Sequence, residues 1–215
     1  PRWHGRLALL AHDLRLVTRQ PVRIALAIAS AVLPFLVASV VNRPIVAVVS
    51  WLVFGLLATG LAGSNLRRDR DFPELGRLFG ISPLWMVVGR AVVPFGVALA
   101  WSALSLQLVG AARVGGGGLG WLAIGAAAAP ALTIGAIRAA RRTAIRHDMP
   151  MVDVVGTVLP TGPLRWASTG FDLAVPLLAP TLVAIGQGRP SATAVGFQVA
   201  FSVLGGAWYL RNQNR

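Results

Sequence analysis

The sequence contains no cysteine and no lysine. The first absence excludes a disulfide framework and any thiolate metal site. The second means that all 20 basic side chains are arginine, so the formal net charge of +13 rests on guanidinium groups alone. Charge as a whole is scarce: it makes up 13% of the 215 residues, where an ordinary soluble domain carries about 25%. In its place the chain is 55% hydrophobic, with a mean hydropathy of +0.69. That composition excludes an ordinary soluble domain and predicts a polytopic membrane protein. A strongly basic chain can be a nucleic-acid binder. Here the arginines fall in short stretches between apolar runs, a pattern that membrane topology explains, and no nucleic-acid partner is expected.

Further absences lie within the apolar runs. None carries a carboxylate, histidine or arginine near its middle; Asp13, Asp69, Asp71, Glu74, Asp148, Asp153 and Asp172 all fall between runs or at their ends. Ion- and proton-coupled transporters need a group that changes charge inside the membrane, so this pattern argues against that class. No GxxxxGK[ST] loop is present for ATP phosphates, and the glycine run 115–118 has no lysine after it and reads as a flexible turn. No histidine and carboxylate set has metal-ligand spacing, and no nucleophile has a base nearby. The sequence therefore predicts no catalytic residue, no metal site and no cofactor held by this chain.

What is present is a sequence of helices, predicting an all-α fold. Residues 1–21 form an interfacial amphipathic helix: Trp3, Leu7, Leu10, Leu14 and Val17 recur at spacings of three and four, while Arg2, Arg6, His12, Asp13, Arg15 and Arg19 lie away from that stripe. Such a helix suits a membrane surface with anionic headgroups. The charge that interrupts its apolar positions is unlike a signal peptide. Residues 22–215 form a domain of six transmembrane helices, at 22–41, 44–64, 91–112, 119–137, 171–186 and 191–210, with cytoplasmic loops at 65–90 and 138–170. The fifth is short against the roughly 20 residues a crossing needs. The apolar stretch 149–160 is too short and is punctuated by Pro150, Gly156 and Pro160, so 148–170 is expected to be a structured loop. With the N-terminus inside, only Arg43, Arg113 and Arg189 of the 20 arginines face outward. This positive-inside bias places both termini in the cytoplasm and the chain in the plasma (inner) membrane. Trp85, Trp166, Trp208 and Tyr209 are expected as aromatic anchors at inner ends, and Trp121 at an outer end.

Polar residues within the spans are few. Gln107, Gln198, Ser102, Ser105 and Thr133 are the candidates for a substrate path, although each can equally bond to a neighbouring helix. Gly55, Thr59 and Gly63 repeat every four residues and form a small-residue seam for close helix packing, within the subunit or across a dimer. Pro34, Pro94, Pro130, Pro176 and Pro180 are expected to bend their spans and to serve as flexing points. The interior is otherwise apolar and suits a lipophilic or amphipathic cargo, or helix packing alone.

The order of an interfacial helix, two spans, a charged loop and four more spans resembles the membrane-spanning permease subunit of type-2 ABC exporters. The telling motif is Leu66-Arg67-Arg68-Asp69, then Pro73-Glu74-Leu75-Gly76-Arg77-Leu78, then Ser82-Pro83. It is similar to that family's short cytoplasmic coupling helix, which sits in a cleft of the ATPase. The stretch Thr161-Gly162-Pro163 followed by Thr169-Gly170-Phe171-Asp172-Leu173-Ala174 is similar to permease-like proteins of high-GC actinobacteria, and the arginine-only usage agrees. The resemblance implies that Arg67, Arg68, Asp69, Asp71, Glu74 and Arg77 contact a separate nucleotide-binding ATPase, while Leu75, Leu78 and Phe79 fill its groove. It implies ATP and Mg on that partner chain, and a second permease, identical or related, beside membrane lipids. The haem-exporter B subunits are similar in size and span number. The sequence departs from many exporters of the class in one place: only residues 187–190 join the fifth and sixth spans, where those exporters carry a re-entrant outer element. The alternative reading is a non-transporting scaffold or accessory subunit of a larger membrane complex.

Overall fold

The computed structural model describes residues 6–41, 43–63, 66, 80, 82–114, 118–142, 151–154 and 157–212. It is helical apart from one short hairpin. In chain order the elements are α1 (Arg6–Arg19), α2 (Pro21–Ala29), α3 (Val32–Val40), α4 (Pro44–Ala62), α5 (Pro83–Val114), α6 (Leu119–Ala140), β1 (Met151–Val154), β2 (Thr157–Pro160), α7 (Thr161–Ser168), α8 (Phe171–Leu177), α9 (Ala179–Gln187) and α10 (Ala192–Asn212). Among the described residues, five helical segments are long and apolar enough to cross a membrane: Pro21–Val40, Pro44–Ala62, Leu84–Ala112, Leu119–Ala140 and Ala192–Asn212.

The expected span at 171–186 is instead two short helices, α8 and α9, meeting at Leu178. The cause lies in the sequence. Pro180 has no N–H to give to the carbonyl of Pro176, and its ring clashes with that carbonyl in a continuous helix. The first span breaks for the same reason. Pro34 has no N–H for the carbonyl of Ser30, which accepts from Leu33 N–H instead, at 3.0 Å. The chain therefore passes from α2 to α3 through a tighter turn at Ser30 and Ala31. Pro94 and Pro130, by contrast, lie inside α5 and α6, which are continuous.

α6 is the centre of the bundle. α5, α10, α4 and α8 all pack on it, and the helix is buried over most of its length. Small residues permit the closest approaches. A Cβ on Gly125 would lie 2.9 Å from the Cα of Ala103 on α5, and a Cβ on Gly135 would lie 2.8 Å from Ala174 Cβ on α8. The fully buried Trp51 and Trp101 rings, 5.8 Å apart, fill the space between α4 and α5.

Polarity is inverted relative to a soluble bundle. On α10 the inward positions are Gln198, Ser202, Gly205 and Tyr209, spaced at four, three and four. The outward positions include Phe197 (57% exposed), Val203 and Leu204 (69% exposed). A helix in water would present the opposite arrangement. Polar groups facing protein and apolar groups facing outward are what a hydrocarbon surround selects.

Three expectations need correction. α5 begins at Pro83, so residues 83–90, including Arg90, belong to the helix and not to the loop expected at 65–90. Proline at the first helical position explains the start, because its missing N–H would be unpaired there in any case. The loop expected at 138–170 contains an antiparallel hairpin, pairing Met151 with Pro160 and Val154 with Thr157, for which the β-branched Val152, Val154 and Val158 are suited. Finally, Trp121 and Tyr209 are buried and are not interfacial anchors. Trp121 packs into space left by Gly110, where a Cβ would come within 2.5 Å of the indole. Trp85 and Trp208 are exposed.

Candidate functional site

The charged insert between α4 and α5 is where the sequence concentrates its charge. Its residues 67–79, with Arg67, Arg68, Asp69, Asp71, Glu74, Leu75, Arg77, Leu78 and Phe79, lie outside the described residues. Its point of origin is described. Leu66 is buried in a cluster with Val87 of α5, Ile134, Ile137 and Ala140 of α6, and Tyr209 of α10. Leu66, the described residue just before the insert, thus sits in a knot of apolar side chains from three further helices. The end of the bundle at Leu66 is its insert end.

Among the described residues, two ion pairs at this end are Arg90 with Asp13 and Arg138 with Asp172. Arg90 donates from Nη1 to Asp13 Oδ1, joining α5 to α1. Asp13 is only 3% exposed, whereas its neighbour Leu14 on the expected apolar stripe is 49% exposed. α1 therefore turns its acidic residue into the protein and part of its stripe outward. The sequence reading placed Asp13 on the polar, outward face. The long-range partner Arg90, which was read as a loop residue, was the missing signal. The second pair joins Arg138 of α6 to Asp172 of α8, with Nε donating at 2.8 Å. The other carboxylate oxygen of Asp172 accepts the N–H groups of Gly170 (2.9 Å) and Leu173 (3.0 Å). Asp172 thereby satisfies the first turn of α8 and fixes it to α6. Gly170 has φ +106°, and a Cβ there would sit 2.8 Å from both Ala139 Cβ and the Gly135 carbonyl. The Gly170-Phe171-Asp172 motif is thus a tight crossing of the chain over α6. Beside it, the Arg142 guanidinium lies 3.2 Å from the centre of the Trp166 ring and donates to the Trp166 carbonyl at 3.2 Å.

Of the five candidate path residues, Thr133 lines an apolar groove over α6, and Ser102, Gln107, Thr133 and Gln198 make hydrogen bonds within the bundle. Ser102 donates to its own helix at Ala98 O (2.6 Å) and is also within 2.7 Å of Gly125 O on α6. Thr133 donates to Ala129 O of its own helix. Gln107 reaches Gly118 O at the turn before α6, at 3.0 Å. Ser105 is fully buried, and its hydroxyl has no hydrogen-bond partner among the described residues. Gly55 packs against the Trp101 ring and Leu132, so its part of the small-residue seam faces α5 and α6. Thr59 is fully buried, and Gly63 faces Leu66 and Pro94.

Gln198 has the most demanding position. Its Oε1 accepts from Thr181 N (3.3 Å) and Thr181 Oγ1 (2.8 Å), and its Nε2 donates to Leu177 O (3.0 Å) and Ser202 Oγ (3.1 Å). In an unbroken helix Thr181 N–H would donate directly to Leu177 O. The glutamine amide from α10 is inserted into that bond and satisfies both halves of it. Ser202 continues the network by donating to Ala127 O of α6 at 2.7 Å.

Between α5 and α10, over α6, runs an apolar groove with a volume of about 320 Å³, lined among others by Ala91, Phe95, Ile134 and Tyr209. At the insert end it adjoins a second hollow of about 360 Å³ lined by Leu84, Trp85, Val88, Leu210 and Arg211. Val88 and Leu210 line both.

Comparison with known proteins bears on residues 2–150, which match one family along that length. The chain belongs to a family of unknown function, DUF6297. No curated protein and no solved structure matches it. The DUF6297 match takes in α1 to α6 and the charged insert, whereas the inserted amide of Gln198 and its partners on α8 and α9 lie beyond it.

Proposed function

We propose that the chain is the membrane-spanning subunit of an ATP-driven ABC exporter for a lipophilic or amphipathic substrate. The insert at 67–79 would receive force from a separate ATPase. The supporting observation is the burial of Leu66 among α5, α6 and α10. A push on the insert enters the bundle at a point where three further helices meet, which suits an element that converts docking into helix movement. The apolar groove suits a lipophilic cargo better than a hydrophilic one, because it offers few polar partners. In this reading the chain has no catalytic site of its own. ATP and Mg are held by the partner ATPase, and a second permease, identical or related, completes the pathway.

The reading also includes a sixth crossing. α8 and α9 together span residues 171–187 and join α10 through a short turn at 188–191. Counted as one broken crossing, they put both termini on the arginine-rich side, which the positive-inside bias makes cytoplasmic in the plasma membrane. The lack of native cysteine makes this testable: Ser191→Cys should react with an impermeant maleimide from outside intact cells, and Thr161→Cys should not. Equal labelling of both would refute the six-span topology.

The exporter reading itself is tested by co-purification and by ATPase activity of the resulting complex. Glu74→Ala with Arg77→Ala should abolish substrate-stimulated hydrolysis or release the ATPase. Unchanged assembly and transport would overturn the coupling role. The alternative, a non-transporting scaffold or accessory subunit, is favoured by one observation: Ser102, Thr133, Gln198 and Ser202 are engaged in bonds within and between helices. It predicts co-purifying membrane proteins without a nucleotide-binding chain.

A further inference from the structure

We infer that the groove between α5 and α10 is a binding site for a single anionic phospholipid, with an acyl chain along the groove and the phosphate at the insert end. The walls come from regular helical stripes. Leu84, Val88, Ala91 and Phe95 recur along α5 at spacings of four, three and four, and Gly206 and Leu210 face them from α10. The floor is α6, including Ile134. Gly206 widens the groove, since a Cβ there would have only Ile134 Cδ1 near it, at 3.9 Å. The lining is almost wholly apolar, so in a membrane the groove fills with hydrocarbon and not with water.

Its insert end differs in chemistry. There the walls carry Trp85 and Arg211, both exposed, and Arg211 has no hydrogen bond or ion pair among the described residues. Arg141 lies near the phenol of Tyr209, which lines the groove. Among the described residues, no carboxylate lines either hollow. Guanidinium beside an indole at the end of an apolar channel is the pairing that recognises a lipid phosphate at headgroup depth. The same charge argues against a second copy of this chain as the occupant, because two arginine-bearing mouths would be brought together without a counterion. This inference needs only that the chain lies in a membrane and does not rest on the exporter reading.

The test uses the full chain, purified in dodecyl maltoside and supplied with equal amounts of palmitoyl-oleoyl phosphatidylglycerol and phosphatidylcholine, with retained lipid read by native mass spectrometry. The anionic lipid should be retained in preference by about fivefold, the factor that one arginine near an anionic headgroup supplies. Arg211→Gln, at an exposed position, should remove that preference while thermal melting is unchanged. Val88→Trp should displace both lipids by filling the groove, and Gly206→Leu serves as a second, differently placed plug. Equal retention of the two lipids by the unaltered protein would overturn the proposal, as would a preference that survives both Arg211→Gln and a plug. So would a protein that is dimeric until plugged and loses no lipid on plugging, since the groove would then be an interface between copies.

Discussion

Replacing Gln198 with leucine keeps most of the side-chain volume and removes the amide that bridges the break between α8 and α9. Four hydrogen bonds disappear, but they do not count equally. The hydroxyls of Thr181 and Ser202 can turn to backbone carbonyls of their own helices, as serine and threonine do in membrane helices. Thr181 N–H and Leu177 O have no such freedom. They can meet directly only if α8 and α9 straighten into one helix, and the Pro180 ring blocks that by its clash with the Pro176 carbonyl. Both backbone groups are therefore left unsatisfied away from water, at about 1–3 kcal/mol each in proteins generally. Measured hydrogen bonds in membrane bundles lie at the low end, about 0.6 kcal/mol on average with a maximum near 1.7. The sum expected for Gln198→Leu is about 2–4 kcal/mol. For a chain of this length that corresponds to a fall in Tm of about 5–15 °C, read by tryptophan fluorescence in detergent. Gln107→Leu is the control. It removes a single bond, to a Gly118 carbonyl that also accepts from Trp121 N and Leu122 N, and should change stability by less than about 1 kcal/mol. The decisive variant is Gln198→Leu combined with Pro180→Ala, in which the helix can close its own bond and should recover much of the loss. A Gln198→Leu protein as stable as the control, or a double variant with no recovery, would refute the bridging role.

Other consequences can be measured with the same assay. Asp13→Ala should lower stability by about 3–5 kcal/mol, because it leaves the Arg90 guanidinium buried without its carboxylate; Asp13→Ala with Arg90→Met should be less damaging than Asp13→Ala alone. Gly170→Ala should be destabilising by more than about 2 kcal/mol, since it combines a positive φ with a contact against the Gly135 backbone that cannot move aside. Gly110→Val should fail to fold or melt well below the unaltered protein, and Gly110→Val with Trp121→Ala should recover in part, because the indole is what occupies the space.

The parts of the fold legible in the sequence are those that composition and period determine. The apolar runs at 44–64, 119–137 and 191–210 are helices close to those limits because nothing competes with the hydrocarbon core for them. Of the four-residue repeat Gly55, Thr59 and Gly63, Gly55 meets the Trp101 ring of α5 closely, whereas Gly63 has only ordinary contacts with Leu66 and Pro94. The features that escaped depend on partners distant in sequence. Asp13 reads as an outward polar residue on any helical wheel, and only the packing of α1 against Arg90, 77 positions later, makes it an inward one. Trp121 reads as an interfacial anchor until Gly110 is seen to open a socket for it. Pro176 and Pro180 signalled trouble in their span, but that it breaks outright, with its ends held by a glutamine from another helix, is a property of the pair. The charged insert stands out in sequence, and its residues 67–79 lie outside those the structure describes.

The two broken segments share a design that bears on what the bundle can do. α2–α3 and α8–α9 each break near the middle, at Ser30 and at Leu178, and each break is held by one side chain from a continuous helix. Trp101 of α5 donates to Ser30 Oγ at 3.1 Å, and Gln198 of α10 bridges Thr181 and Leu177. The unbroken helices α4, α5 and α6 meet through close glycine contacts, Gly55 against the Trp101 ring and Gly125 against the Ala103 backbone. Movement that leaves those contacts intact must therefore occur at the breaks. Each is closed by hydrogen bonds worth about 1 kcal/mol apiece in a membrane interior, weak enough to exchange on the timescale of helix motion. Leu66 packs against α5, α6 and α10, and two of these, α5 and α10, carry the side chains that hold the breaks.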